Sequence, residues 1–374
     1  MSILRPFRGI RLQDESSFSV KDSGANDTLF RFIKPEILPK IDSGVYVCED
    51  KPSYYIYQQV SLGFKTTGLV ALTSIDAVFN STVKTHEEVL SEKLAITKDS
   101  IKNVYTQINP VLLIYEDNFN INKFIDEAIS APASTVIFSN NDTEHRFWII
   151  KDRMHIKKIN SLYQKVNSMY VGDGHHRIKA ISNLFLEKSD LAKSYQYFLS
   201  ILVPRSQVIV KCSNRILPDL NGHEESQFMI MLEENFVVTS IEKMDTNLAD
   251  STLNLYLTGK WYRLMLKQEI VSTLNSIDLL EPFVIENFIL KPLLGNMEHA
   301  YNETISFLNG EVDFNEHLIN SAGKKIRLAV FSSPITMDDI FEIANVNKKI
   351  PPNSTWILPK IPNGFINYQF TLHH

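Results

Sequence analysis

The stretch YVGDGHHRIKAISNL, Tyr170 to Leu184, constrains the fold of this chain more than any other. An apolar strand end, Tyr170-Val171, runs through Gly172-Asp173-Gly174 into two histidines and an arginine. Ile178, Ile181, Leu184 and Phe185 then recur at helical spacing on one face. A strand that turns at two glycines straight into a helix brings unpaired backbone N–H groups and the positive dipole end to one point. Such a point is built to hold an anion.

The rest of the chain surrounds this turn with short strands. Residues 54–60, 67–75, 111–117, 135–140, 145–152 and 168–173 read as strands, as do 197–204 and 206–217. Beyond Leu220 the pattern changes. Residues 224–236 read as a helix, 259–267 as a strand, 276–295 as two proline-punctuated helical stretches, and 324–333 as a strand. Residues 336–348 form a helix with Thr336 as its cap and Asp339 as its capping-box partner. The tail 351–365 is too rich in Pro, Asn and Lys for a core element. The fold class expected is α+β with a mixed sheet and no regular βαβ repeat. A division near residues 220–240 gives a first domain over 1–235 and a further α/β part over 236–374.

Bulk properties narrow the function. The 374 residues are 44% hydrophobic and 22% charged, with a formal net charge of -5. That balance offers no global attraction for nucleic acid or an anionic membrane. No apolar run has the length of a membrane span, the N-terminus lacks the apolar core of a signal peptide, and Cys48 and Cys212 suggest neither a disulfide framework nor a zinc pattern. A cytoplasmic location and a small-molecule partner are the expectations, with a homodimer left open.

At the turn itself, Gly174 lets the backbone approach a ligand without a Cβ in the way. His175 and His176 add donors, Arg177 is able to grip an oxyanion bidentately, and Asp173 could orient a histidine or hold Mg²⁺. Zinc fits less well, because adjacent helical residues project about 100° apart and no third ligand stands nearby in sequence. The plainer alternative is a capping Asp173 followed by surface histidines.

DGHHR and its apolar helix resemble the signature of the bacterial family known as domain of unknown function 1015. The resemblance runs through nearly the whole chain: LRPFRGIR, YIYQQ with TGLVAL, VKTHEEVLSEK, EHRFWII, YVGDGHHR, SNRILPDLNG, WYRL, KPLLG, TMDDIFEIANV and PPNSTWILPK. DGHHR also resembles the phosphate box of the ParB/sulfiredoxin-like fold, which includes partition proteins, sulfiredoxins and kinases of free L-serine. The resemblance implies a ParB/sulfiredoxin-like mixed-sheet core in the first domain. It implies a serine kinase that takes a phosphoryl group from a phosphoanhydride, pyrophosphate in preference to ADP or ATP, with Mg²⁺. The reaction could run in reverse, making serine from phosphoserine.

Within that reading Glu87 matches the family's His-Glu and is the general base for the substrate hydroxyl, beside His86; Glu88, where the family more often has a basic or polar residue, is set aside. Lys93 neutralises donor phosphates. Arg5 and Arg8 clamp a phosphate or carboxylate, Asn214 and Arg215 end a strand that reaches the pocket, and Ser354, Thr355 and Lys360 form a loop that closes over the donor. His145 and Trp148 share a strand, where Trp148 reads as core, as do Trp261 and Tyr262. One departure stands out: where the family carries a Pro-Pro-Tyr-Asp-like turn, this chain reads SVKDSGANDTLF, with Asp22, Asn26 and Asp27 as its polar groups. The competing readings are a non-catalytic nucleotide- or phosphate-binding ParB-like module, a DNA-partition-like module, a sulfiredoxin-like repair protein and an inactive scaffold. The acidic balance opposes the partition-like module, and the absence of a cysteine at the box opposes the repair protein.

Overall fold

The structure is a computed structural model that describes residues 3–12, 44–61, 63–139, 143–189, 191–245, 252–310 and 326–370. Asp22, Asn26, Asp27 and the altered turn lie outside the described residues, as do His373 and His374. The chain divides into two compact units, the first made of Met1–Thr85, Lys93–Val208 and Pro359–His374, the second of His86–Glu92 and Ile209–Leu358. Residue 235 lies inside the second unit.

In the first unit, a nine-stranded mixed sheet has the order Val83–Lys84, Met169–Asp173, Val111–Tyr115, Tyr197–Pro204, Phe64–Ser74, Tyr54–Ser61, Thr143–Ile150, Thr135–Ser139, with Leu4–Arg5 on Phe64–Ser74. Two pairings are parallel, Met169–Asp173 with Val83–Lys84 and Tyr197–Pro204 with Val111–Tyr115; the rest are antiparallel. The central strands read as continuous apolar runs because both faces are covered: every residue of Val111–Tyr115 is buried. A second, four-stranded sheet sets the C-terminal strand Ile366–Gln369 between Ile10–Leu12 and Thr106–Gln107.

Helices that were not foreseen include two of this unit. Phe119–Ile129 is capped by the Asn118 side chain, and Arg153–Tyr163 by Asp152. The first buries Ile121, Phe124 and Ile125, the stripe that holds a short helix to a sheet.

The second unit is built on a seven-stranded sheet in the order Phe236–Ile241, Lys260–Leu266, Thr252–Leu257, Leu328–Phe331, Ile209–Leu217, Ser306–Asn309, with Thr355–Leu358 also on Ile209–Leu217. Its residues alternate between two apolar clusters. Leu217, Leu255 and Val330 face the helical side with Phe228, Leu232 and Leu290. Ile216, Ala329 and Phe331 face the other side, against Trp261 and Tyr256. The tail corrects the expectation for residues 351–365. Thr355–Leu358 is a strand, paired with Ile209–Cys212, and Ile357 is fully buried. Pro352 and Pro359 bound this four-residue strand rather than interrupt it, so the tail's composition did not forbid it.

Candidate active site

The sequence-predicted site residues gather into two clusters, one in each unit. In the first, strand Met169–Asp173 meets helix His175–Leu186 at Gly174, whose φ of 103° lies in the left-handed region. The register slips between Val171 and Asp173 against Leu113 and Leu112, so Gly172 is the extra residue of a bulge. A Cβ there would stand 2.7 Å from the Ile114 side chain. The bulge and the left-handed step together aim Asp173 and the start of the helix at one place.

Asp173 sits between two cations. Arg177 bonds one carboxylate oxygen, and Lys360 Nζ donates to the other at 3.0 Å. Burial opposes ionisation of this carboxyl, but Lys360 and Arg177 overrule it and hold its pKa well below the usual range. Arg177 also donates to the Pro110 carbonyl at 2.7 Å. Its guanidinium is thereby spent on fixing the turn, which differs from the bidentate oxyanion grip expected of it. The exposed Lys93 is electrostatically coupled to His176, whose pKa drops to about 4 through burial and through Lys93 and Arg177. His176 is therefore neutral at pH 7. His175 is buried at the first helical position. Two cations, Arg177 and Lys360, hold one carboxylate, and Lys93 is coupled to the adjacent His176, so the local balance favours an anion at the helix start.

Both oxygens of Asp173 face cations rather than an open coordination position, and no group of three or more metal-ligating side chains occurs among the described residues. These residues do not fit Mg²⁺ held by the protein alone.

In the second unit, His86 and Glu87 lie on an extended segment paired through Glu87 with Ile350. Both are buried. Glu87 accepts from the Asn353 backbone N–H at 2.8 Å and from the Thr355 hydroxyl at 3.2 Å. The same hydroxyl lies 3.4 Å from His86 Nε2. Asn353 reaches this position with a φ of 54°, uncommon for a residue other than glycine. Arg215 is 1% exposed and donates to the Ser213 carbonyl and the Ser354 hydroxyl, at 2.8 and 2.9 Å. Its Nε has no hydrogen-bond partner among the described residues, nor has the buried Asn214 Oδ1. Burial pulls the Arg215 pKa down, opposed by Tyr301, Glu286 and Glu87.

The sequence reading missed Glu286 and Tyr301. The Tyr301 hydroxyl donates to Glu286 at 2.6 Å, and each residue lies in a wide, π-type helical turn, Glu286–Leu290 and Ala300–Thr304. Pro292 follows the first of these, and its missing N–H breaks the regular ladder there. A lone carboxylate in the apolar run FVIENFIL was the available signal.

Arg5 and Arg8 join neither cluster: Arg5 stacks on Tyr197 at 5.4 Å and Arg8 bonds the Glu49 carbonyl at 2.8 Å. His145 is buried against Tyr57, its ring nitrogen 2.7 Å from the tyrosine oxygen, with a pKa lowered by burial to about 4. Trp148 is a core residue whose indole donates to the Ala131 carbonyl. No described helix is long and apolar enough to cross a membrane.

Residues 10–280 match the family described as a protein of unknown function, DUF1015, and the chain belongs to that family. No curated protein matches the sequence. Among solved structures, the chain is similar to a free serine kinase variant in complex with ADP, at 11% identity and a TM-score of 0.45, over 78% of this chain and 88% of that one. It is similar to a conserved hypothetical protein from Pyrococcus furiosus, at 12% identity and a TM-score of 0.44, over 79% and 93%. A C-terminally truncated SbnI from Staphylococcus aureus has 10% identity and a TM-score of 0.42, over 77% and 82%.

Proposed function

We propose that the protein is a phosphotransferase of the ParB/sulfiredoxin-like type that phosphorylates free L-serine, with pyrophosphate as the preferred donor. The observation that carries the phosphate part is the strand–turn–helix at Gly174, where Lys93, Arg177 and Lys360 outnumber the carboxylate of Asp173. Serine as acceptor rests on the resemblance of DGHHR and the motifs around it to free-serine kinases. Mg²⁺ enters this scheme as the counter-ion of the donor, part of the substrate.

The chemistry assigned to the first unit is charge neutralisation. Lys93 and Lys360 take phosphate oxygens, the helix start supplies backbone donors, and Asp173 and Arg177 keep the turn in shape. The resemblance assigns Glu87 as the base that accepts the proton of the serine hydroxyl. Its two oxygens are oriented by Asn353 and Thr355, and each retains a lone pair for a proton. His86 and Thr355 act as positioning residues for that carboxylate. The oxygen of serine attacks the donor phosphorus, the bridging bond breaks, and inorganic phosphate leaves.

A second reading, a non-catalytic phosphate-binding module, is favoured by the use of Arg177 inside the protein, on Pro110 and Asp173. Transfer measured on Glu87→Gln separates the two. A lost base lowers turnover about 10²–10⁴-fold and leaves pyrophosphate binding intact. Wild-type turnover in Glu87→Gln removes the base assignment. A wild-type protein that binds pyrophosphate and transfers nothing establishes the second reading.

A further inference from the structure

Arg215 lies inside the second unit's sheet, paired with Phe307 on one side and Val330 on the other. Alternation along the strand puts it on the face of Leu217, which belongs to the same apolar cluster as Ile285 and Tyr301. A guanidinium in such surroundings is costly and persists only through what it bonds. At 1% exposure it offers no surface to a bound ligand. Both terminal nitrogens are committed inside the protein. One donates to the Ser213 carbonyl on its own strand at 2.8 Å, the other to the Ser354 hydroxyl at 2.9 Å. The planar fork thus ties the strand to a segment 139 residues further along the chain.

Ser354 stands between the two residues that hold Glu87. The Asn353 N–H bonds one carboxylate oxygen at 2.8 Å, and the Thr355 hydroxyl bonds the other at 3.2 Å. Thr355 is fixed by the ladder, paired with Cys212 on the strand that carries Arg215. The ladder ends there. Asn353 lies beyond it with a φ of 54°, a left-handed conformation that a side chain resists. Such a backbone persists where its surroundings impose it, and Arg215 grips the next residue along. We infer that Arg215 is a positioning residue for Glu87: through Ser354 it holds the 353–355 segment in the shape that presents two donors to the carboxylate. The inference rests on the reading of Glu87 as base and adds the residue that keeps that base aimed. It moves Arg215 and Ser354 from contact with substrate or donor, which the resemblance implies, to support of the carboxylate.

A double-mutant cycle on the full chain tests this, read as transfer from pyrophosphate to L-serine. Ser354→Ala removes the hydroxyl that Arg215 grips and keeps Asn353, Thr355 and Glu87. The expected result is a fall of about ten-fold in kcat, with the KM for pyrophosphate unchanged as evidence of folding. Arg215→Lys keeps the charge and loses the fork, and is expected to show the same pattern. In a Glu87→Gln background Ser354→Ala has no further effect, because groups that act through one residue are not additive. A merely structural role would instead lower kcat by the same factor in both backgrounds. That result, or wild-type kcat in either single variant, overturns the inference while the base reading stands. If Arg215→Lys does not fold, Ser354→Ala still decides. Wild-type turnover in Glu87→Gln, or no transfer by the wild-type protein, overturns the base reading and the inference together.

Discussion

Gly174→Ala perturbs the turn on which the phosphate assignment depends, by one carbon. Holding a Cβ in the left-handed region costs about 1–2 kcal/mol. The added carbon would also stand 3.1 Å from Cζ, Nε and one terminal nitrogen of Arg177, so the guanidinium must give way. Loosening a charge-assisted hydrogen bond, to Asp173 or Pro110, costs about 1–3 kcal/mol more. The stiffer unfolded chain returns about 0.4–1 kcal/mol. The net loss is about 1–4.6 kcal/mol, a fall of roughly 2–18 °C in the melting temperature of a domain of 150–250 residues. Differential scanning calorimetry reads it directly. Gly63→Ala is the control: its φ of 76° carries the same backbone penalty, but nothing lies within 4 Å of the new carbon. Gly63→Ala should therefore cost about 1 kcal/mol. Equal melting of the two variants would show that Arg177 does not pack under the turn, and a Gly174→Ala protein as stable as wild type would refute the geometry outright.

The neutral His176 predicts a pH dependence. Its folded pKa of about 4 lies below its ordinary 6.5, so its contribution to stability is complete above about 6.5 and is lost as pH falls toward 4. His176→Gln should flatten the rise of melting temperature with pH across that window, and an unchanged slope would contradict the burial of a neutral imidazole. Tyr301→Phe removes the donor to a buried Glu286 oxygen and should destabilise the protein by about 1–3 kcal/mol in denaturant unfolding. No change there would mean that water replaces the hydroxyl.

The turn was legible because local signals agree there: strand alternation ends, two glycines follow, and a helical stripe begins within a few residues. The strands of five or more residues in the first unit were legible for the same reason, as runs of apolar and β-branched residues. The helices at Phe119 and Arg153 were missed although their caps, Asn118 and Asp152, stand in the sequence. The partners within the clusters were not readable at all. Lys360 reaches Asp173 across 187 residues, and Thr355 reaches Glu87 across 268. No periodicity encodes such pairings; tertiary folding alone makes them. The same holds for Arg177, where the residue type was right for an oxyanion but folding spends the guanidinium on a carbonyl and a carboxylate.

The central claim is phosphoryl transfer to free serine, and phosphorus NMR tests it most directly. The purified full chain is incubated with Mg²⁺ and L-serine, and separately with pyrophosphate, ATP and ADP. The account predicts a new phosphomonoester resonance that grows with pyrophosphate and is absent without L-serine. No phosphomonoester with any of the three donors, and no serine formed from phosphoserine in the reverse direction, would contradict it.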